Sequence, residues 1–316
     1  MLTSILAPVD FSRDSARGLR LAAEIARRHN ARLTVLHVDG LPAYSDQLPQ
    51  FAADNTWGEY LTEHDSALEA RLREFARPLE FEGEIEFAVA RGDAASAVVA
   101  YARQRSCDLL VIAPRGAGYG QQFLLGSVSA RVAAEATCPV LVARSRSGAA
   151  ILGGGFAEPL VAVSNLELGA RALEFTVALA RVGTRVELLH VLESAEIAVG
   201  PPLPGAFHEA VAKGRRDVQA RLERLASPLR SAGYATSVRV ETGDPSFSIL
   251  CRAEANANGL VVVARHAAGS LSTCAYRMVK HAPVPVLVVP SNALQVSKPL
   301  PPTNSRKMDV AGTWSG

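Results

Sequence analysis

The sequence predicts an α/β protein made of two tandem domains, each a five-stranded, doubly wound parallel sheet flanked by helices. Three observations carry this. Short apolar runs alternate with stretches of helical periodicity, the pattern of parallel strands joined by helical crossovers. The alternation restarts after a glycine-rich join, "SGAAILGGGFAEP". Matching anchors then recur in the same order, which is simplest to explain as an internal repeat.

In the first half, "SILAPVD" is a short apolar run suited to a buried strand, and Ser12 is a helix N-cap. Ala16, Leu19, Ala22, Ala23 and Ala26 follow at spacings of three and four, a narrow stripe able to lie on a sheet. "ARLTVLHV" reads as the second strand, and residues 40–57, with Gly40, Pro42 and Pro49, as a connection. "EYLTEHDSALEARLREFARPL" has the charge and Leu/Ala periodicity of a long surface helix. In "EIEFAVA", Ile85, Phe87 and Val89 share one face, as in a half-exposed edge strand. A third helix in "AASAVVAYARQR", a buried strand in "DLLVIAP", a fourth helix over 127–136 and a last strand in "PVLVAR" complete the half.

The second half repeats this order with "LVAVS", a helix over 166–181, "RVELLHV", a long helix, "ATSVRVETGD", "PSFSILCRAEA", "GLVVVAR", a short helix and "VPVLVVP". "LHV" stands at 36–38 and 189–191, "GD" at 92–93 and 243–244, and "PVLV" at 139–142 and 285–288. The Gly-Asp offset is 151 and the Pro-Val-Leu-Val offset 146, so the second half has lost five residues between these anchors. The expected domains are residues 1–146 and 157–290. Residues 291–316, polar and proline-rich without periodicity, read as a disordered or loosely docked tail.

Composition narrows the class. The net charge of +2, from 33 basic and 31 acidic residues, comes without a basic block or an aromatic-interleaved basic face, which argues against nucleic acid. The four cysteines have neither metal-ligand nor redox-pair spacing. No signal-like leader or membrane-length apolar stretch is seen, and a cytoplasmic protein with no membrane partner is expected.

The five-residue deletion falls on the most informative stretch, "PRGAGYGQQFLLGSVSARV" at 114–132. In an open parallel sheet, ligands sit beyond the carboxyl ends of the strands where strand order reverses. "PVD", "HVDG" and this glycine-rich stretch converge there. Gly126 and Ser127 open the fourth helix, where unpartnered N–H groups and the helix dipole favour a phosphate. Ordinary helix capping by Gly-Ser and an Asx turn at Asp10 are the structural alternatives.

On these residues both halves resemble universal stress protein domains arranged in tandem, over roughly 1–146 and 157–290. The resemblance implies a Rossmann-like sheet of order 3-2-1-4-5 in each half. In the nucleotide-binding branch of that family the loop reads Gly, two residues, Gly, nine residues, then Gly and Ser or Thr. Gly116, the nine residues Ala117 to Leu125, and Gly126-Ser127 match, whereas the first glycine is Ala113. The resemblance implies ATP, with or without magnesium, as ligand. Pro8, Asp10 and Val38 would contact adenosine, Gly116, Gly126, Ser127 and Val128 would surround the phosphates, and Arg115 would add positive charge. Were the backbone at Ala113 left-handed, alanine would cost roughly 1–2 kcal/mol, about tenfold in affinity. With ordinary angles, only its methyl group's proximity to ribose matters.

In the second half Ser164 replaces Asp10, Ala267 replaces Gly116 and Ser272-Thr273 replace Gly126-Ser127, so ATP is expected in the first half only. The resemblance also implies pairing of domains through their last strands, here an intramolecular pseudo-dimer through 139–144 and 285–290, with a homodimer beyond it as an option. A phosphate-loop lysine, a nucleophile elbow and His-Glu-x-x-His spacing are all missing. His190, inside an apolar strand, reads as a packed or hydrogen-bonded residue. The expectation is therefore a non-catalytic, nucleotide-dependent regulator in the stress response. A nucleotide-independent interaction protein, whose Ala113 marks a lost site, and a weak ATPase remain alternatives.

Overall fold

The computed structural model describes residues 1–40, 56–114, 126–144, 154–193, 204–255, 259–267 and 269–291. The first half supplies β1 (Ser4–Pro8), α1 (Arg13–His29), β2 (Arg32–Asp39), α2 (Thr56–Ala76), β3 (Ile85–Arg91), α3 (Ala94–Gln104), β4 (Leu109–Ile112), α4 (Ser127–Glu135) and β5 (Val140–Val142). The second supplies β6 (Leu160–Ala162), α5 (Leu166–Leu179), β7 (Arg185–Leu192), α6 (Pro204–Ser231), β8 (Ala235–Thr242), α7 (Pro245–Ala255), β9 (Val261–Arg265), α8 (Thr273–His281) and β10 (Val286–Pro290). Apart from Ser291, the expected tail lies outside the described residues, as does most of the expected join.

Local signals set the elements where the sequence places them. Ser12 caps α1 by accepting from the Ser15 amide, Asp14 sits in the first turn, and Arg27, Arg28 and His29 crowd the last, matching the helix dipole at both ends. Asn30, left-handed at φ 51°, ends the helix. The stripe predicted on α1 is buried at Leu19, Ala22, Ala23 and Ala26 and is widened by Leu21 and Ile25; Ala16 is half-buried. The apolar runs of β4, β9 and β10 are buried at every residue, as strands covered on both faces must be. Leu33, Val35 and Leu36 of β2 are also fully buried.

Among the described residues one sheet of ten strands runs in the order β3-β2-β1-β4-β5-β10-β9-β6-β7-β8. Within each half all pairs are parallel and follow the order 3-2-1-4-5. At the centre β5 and β10 pair antiparallel, with Val286 opposite Val142, Leu287 opposite Leu141 and Val288 opposite Val140. Among the described strands the sheet ends at β3, where the sequence predicts an edge, and at β8.

Each face of this sheet carries an apolar layer common to both halves. One layer joins α1 and α2 to α5 and α6, the other α3 and α4 to α7 and α8. Arginines stitch the seam. Arg28, at the end of α1, donates to Leu179 O (3.0 Å) and Ala180 O (2.6 Å) at the end of α5, and His29 donates to Ala178 O (2.9 Å). Gly155, in the last part of the join, has φ +130°, and a Cβ there would stand 2.7 Å from the Ala180 carbonyl carbon, so only glycine fits. Its neighbour Phe156 is fully buried.

Candidate functional site

The strand order reverses at β1, whose neighbours are β2 and β4. A crevice beyond the carboxyl ends of these strands is where a doubly wound sheet takes a ligand. Pro8 ends β1, and Asp10, half-buried, begins the turn into α1. Its Oδ1 accepts from the Ser12 amide at 3.1 Å, and its own amide donates to Ser15 Oγ at 3.4 Å. The Asx turn weighed as an alternative is therefore made, and it fixes the carboxylate at the strand end. Val38, near the end of β2, is half-buried and packs on the face of the sheet that α3 and α4 cover.

Ala113 follows β4 and is 6% exposed. Among the described residues other than glycine, positive φ occurs at Phe11, Asn30, Glu80, Ser106 and Glu158, and not at Ala113. Of the two cases left open for this residue, the strained one does not arise. Beyond it, the Gly126 amide donates to Pro114 O (2.9 Å), and Ser129 Oγ donates to both Pro114 O (2.9 Å) and Gly126 O (3.0 Å). These bonds bring Pro114 and Gly126 together. Arg115, Gly116 and the remainder of 115–125 lie outside the described residues.

Gly126 is extended (φ −66°, ψ 144°), and α4 starts directly after it with no side-chain cap. The hydroxyl of Ser129 is turned back to carbonyls instead. Ser127 and Val128 are exposed at this end, where the first N–H groups of a helix have no intrahelical acceptor. The described helix starts at Ser12, Asp93, Asn165 and Ser272 are all closed by their own side chains. The start of α4 is thus unlike its counterpart in the second half, where Ser272 accepts from the Ala275 amide at 3.2 Å. There Ser164, in place of Asp10, meets His266 Nε2 at 2.9 Å.

The histidine repeated in "LHV" has the same task twice. His37 Nδ1 meets Val9 O at 2.8 Å, and His190 Nδ1 meets Val163 O at 2.6 Å, each tying the second strand of a half to the end of the first. His37 also packs at a tilt of 45° against Phe11 (4.6 Å between centroids), whose ring meets Phe75 edge-on and carries Arg71 4.0 Å above it. Asp39 accepts from His64 at 2.9 Å. His37 and Asp39 are thus both engaged. No cluster of three or more His, Cys, Asp or Glu suited to a metal occurs among the described residues. The four cysteines are unpaired, and burial pushes the Cys138 thiol up to about 12.

The model of the universal stress protein family matches residues 1–144 and, a second time, residues 159–290. The chain belongs to the universal stress protein family. Universal stress protein YxiE of Bacillus subtilis (strain 168) is 28% identical over 151 residues, 46% of this chain and all of that protein. The universal stress protein in the QAH/OAS sulfhydrylase 3' region of Thermus aquaticus is 32% identical over 144 residues, again 46% of this chain and all of that one. A solved universal stress protein structure from Archaeoglobus fulgidus DSM 4304 has a TM-score of 0.64 at 20% identity and covers 91% of this chain and 98% of its own. Its likeness is one of fold, at the full two-domain length.

Within this universal stress protein, the sequence reading missed what steadies α4 from the side. Arg131 donates to Asp93 Oδ1 (2.8 Å) and to Ser96 Oγ (3.0 Å), linking α4 to the start of α3. The Ser96 hydroxyl and amide, and after them Arg131, hold the Asp93 carboxyl below its ordinary value. The second half repeats the link as Arg277 to Asp244 at 3.4 Å. A signal was present. The acid is the Asp of the repeated "GD", and each arginine stands eight residues ahead of "PVLV".

No helix among the described residues is long and apolar enough to cross a membrane.

Proposed function

We propose that the first half of this universal stress protein binds an adenine nucleotide, ATP foremost, and that the bound nucleotide acts as a conformational ligand in a stress response rather than as a substrate. The observation that carries this reading is the uncapped start of α4, set beside the strand ends that bear Pro8, Asp10 and Val38. A phosphate chain there accepts from the Ser127 and Val128 amides, with the helix dipole behind them. Gly126 leaves room for oxygen atoms near the main chain, Asp10 accepts from a ribose or base donor, and Val38 gives adenine an apolar wall. Arg115 and Gly116 come to this reading from the family resemblance alone. Magnesium, if it accompanies ATP, is bound through the phosphates.

The second half is read as nucleotide-free, since Ser272 already occupies the start of α8 and Ser164 is bonded to His266. A regulator is preferred to an enzyme because the sequence has neither a phosphate-loop lysine nor a nucleophile elbow.

Isothermal titration of the full chain with ATP tests the proposal. Wild type should bind, Asp10→Asn should weaken binding while keeping the turn bonded to Ser12, and Ser127→Pro should weaken it by removing one donor. Absence of heat from wild type at millimolar ATP would end the reading and leave a nucleotide-independent interaction protein.

A further inference from the structure

The loop shortened by the five-residue deletion has a place in the other half. Arg265, the last residue of β9, stands where the first half has Pro114 and is 2% exposed. Its guanidinium donates to Ala133 O (3.2 Å), to Ala136 O (2.6 Å) and to Ala134 O, the carbonyls at the end of α4. Four residues further on, Gly269, at φ +82°, donates its amide to the same Ala134 O at 2.9 Å. The last carbonyls of a helix have no intrahelical donor, and a cation there complements the dipole. Here both are supplied across the seam. No carboxylate among the described residues pairs with Arg265, and its Nε is buried without a partner there. Such a group is costly to bury, and the carbonyls of α4 are what hold it.

α4 is nine residues long, about 13 Å. Its far end is the start at Gly126 and Ser127. We propose that Arg265 is a positioning residue for the nucleotide site: with Gly269 it clamps the end of α4, so that the second half sets the placement of the amides that meet the phosphates. This rests on the nucleotide reading above. The geometry makes the two events reciprocal, since anything that holds the start of α4 also holds the clamp.

The seam contains its own control. Arg144, just after β5, donates to Met278 O and Val279 O at the end of α8, so each half clamps a helix of the other. The start of α8, however, is closed by Ser272 and has no nucleotide assigned to it. Losing Arg144 disturbs the seam without disturbing the proposed site.

The experiment compares wild type, Arg265→Met, Arg265→Lys and Arg144→Met in the full chain, by ATP titration and by amide hydrogen exchange along α4. Arg265→Met should weaken ATP by about 5- to 30-fold, Arg265→Lys less, and Arg144→Met by less than about twofold. Without nucleotide, the α4 amides should exchange faster in Arg265→Met than in Arg144→Met. In wild type, ATP should slow exchange around 265–272. Wild-type affinity in a folded Arg265→Met, or equal losses in Arg265→Met and Arg144→Met, overturns the positioning role while leaving the nucleotide site standing. If Arg265→Met does not fold, the ordering of Arg265→Lys below Arg144→Met decides. If wild type itself binds no ATP, the nucleotide reading fails and the positioning role with it.

Discussion

The centre of the molecule offers a sharp test of how the halves are joined. Leu141 and Leu287 stand directly opposite one another in the antiparallel pair of β5 and β10, and both are fully buried in the layer that α1 and α5 cover. Truncating either to alanine removes buried carbon from a packed interior and should cost about 2–5 kcal/mol. Opposed side chains of such a pair share part of that energy, about 0.2–1 kcal/mol as a cross-strand contact and more if the two cavities merge. The double mutant should therefore cost about 0.5 kcal/mol less than the summed singles, and still less if the cavities merge. Leu33, fully buried in β2, lies four strands from β10, about 19 Å away, and its truncation should add to Leu287→Ala without coupling. Urea unfolding followed by far-ultraviolet circular dichroism gives all the terms. Costs under about 1 kcal/mol for the singles, or additivity of Leu141 with Leu287 within about 0.3 kcal/mol, would refute the pairing.

Three further outcomes follow from named contacts. Burial, helped by the neighbouring Arg28 and opposed by the Ala178 carbonyl, holds His29 below its ordinary value of 6.5, so the folded chain keeps it neutral where the unfolded chain takes a proton. Stability should thus rise with pH from the lowered folded value up to about 6.5 and lose this dependence above it; urea midpoints between pH 5 and 8 should show the slope, and His29→Gln should reduce it. A Cβ on Gly169 would come within 2.8 Å of Val163 Cγ1, whereas on Gly18 its nearest neighbour is Ala113 N at 3.4 Å. Gly169→Ala should accordingly lower stability by about 1–3 kcal/mol, and Gly18→Ala should be near neutral or stabilising by up to about 1 kcal/mol, both read from thermal melts. Ala113→Gly should change ATP affinity by less than about threefold, because no left-handed strain is there to relieve; a gain of tenfold or more in the titration would contradict this.

The strands and helices were legible because their signals are local. Apolar runs bounded by turn residues marked β4, β9 and β10, and Ser12 and Asn165 stand at the N-caps of their helices. The partnership of β5 and β10 was implied by the family resemblance, with the repeated "PVLV" marking the two edges that need covering. Within the candidate site, Gly126, Ser127 and Asp10 announced themselves through residue types suited to turns and helix starts. Arg28, Arg144 and Arg265 did not. An arginine at the end of a strand or helix reads as a solvated charge, and only the meeting of two halves far apart in sequence turns it into a donor for another helix's carbonyls. His190 reads as packed or hydrogen-bonded and is so, but its acceptor Val163 O, like Val9 O for His37, lies just past the end of a neighbouring strand and was not legible.

The continuous sheet also explains why the two copies could diverge. When two separate but identical chains associate, every substitution appears on both sides of the axis, and a change that suits one crevice is imposed on the other. Here the copies are tethered, so each meets its mate at an effective concentration of about millimolar however dilute the protein becomes. Pro114 and Arg265 hold equivalent places, one accepting from Gly126 and Ser129 of its own half and the other gripping a helix of the other half. Covalent fusion is what permits that division of labour, with one copy leaving the start of α4 without a side-chain cap and the other holding the end of the same helix.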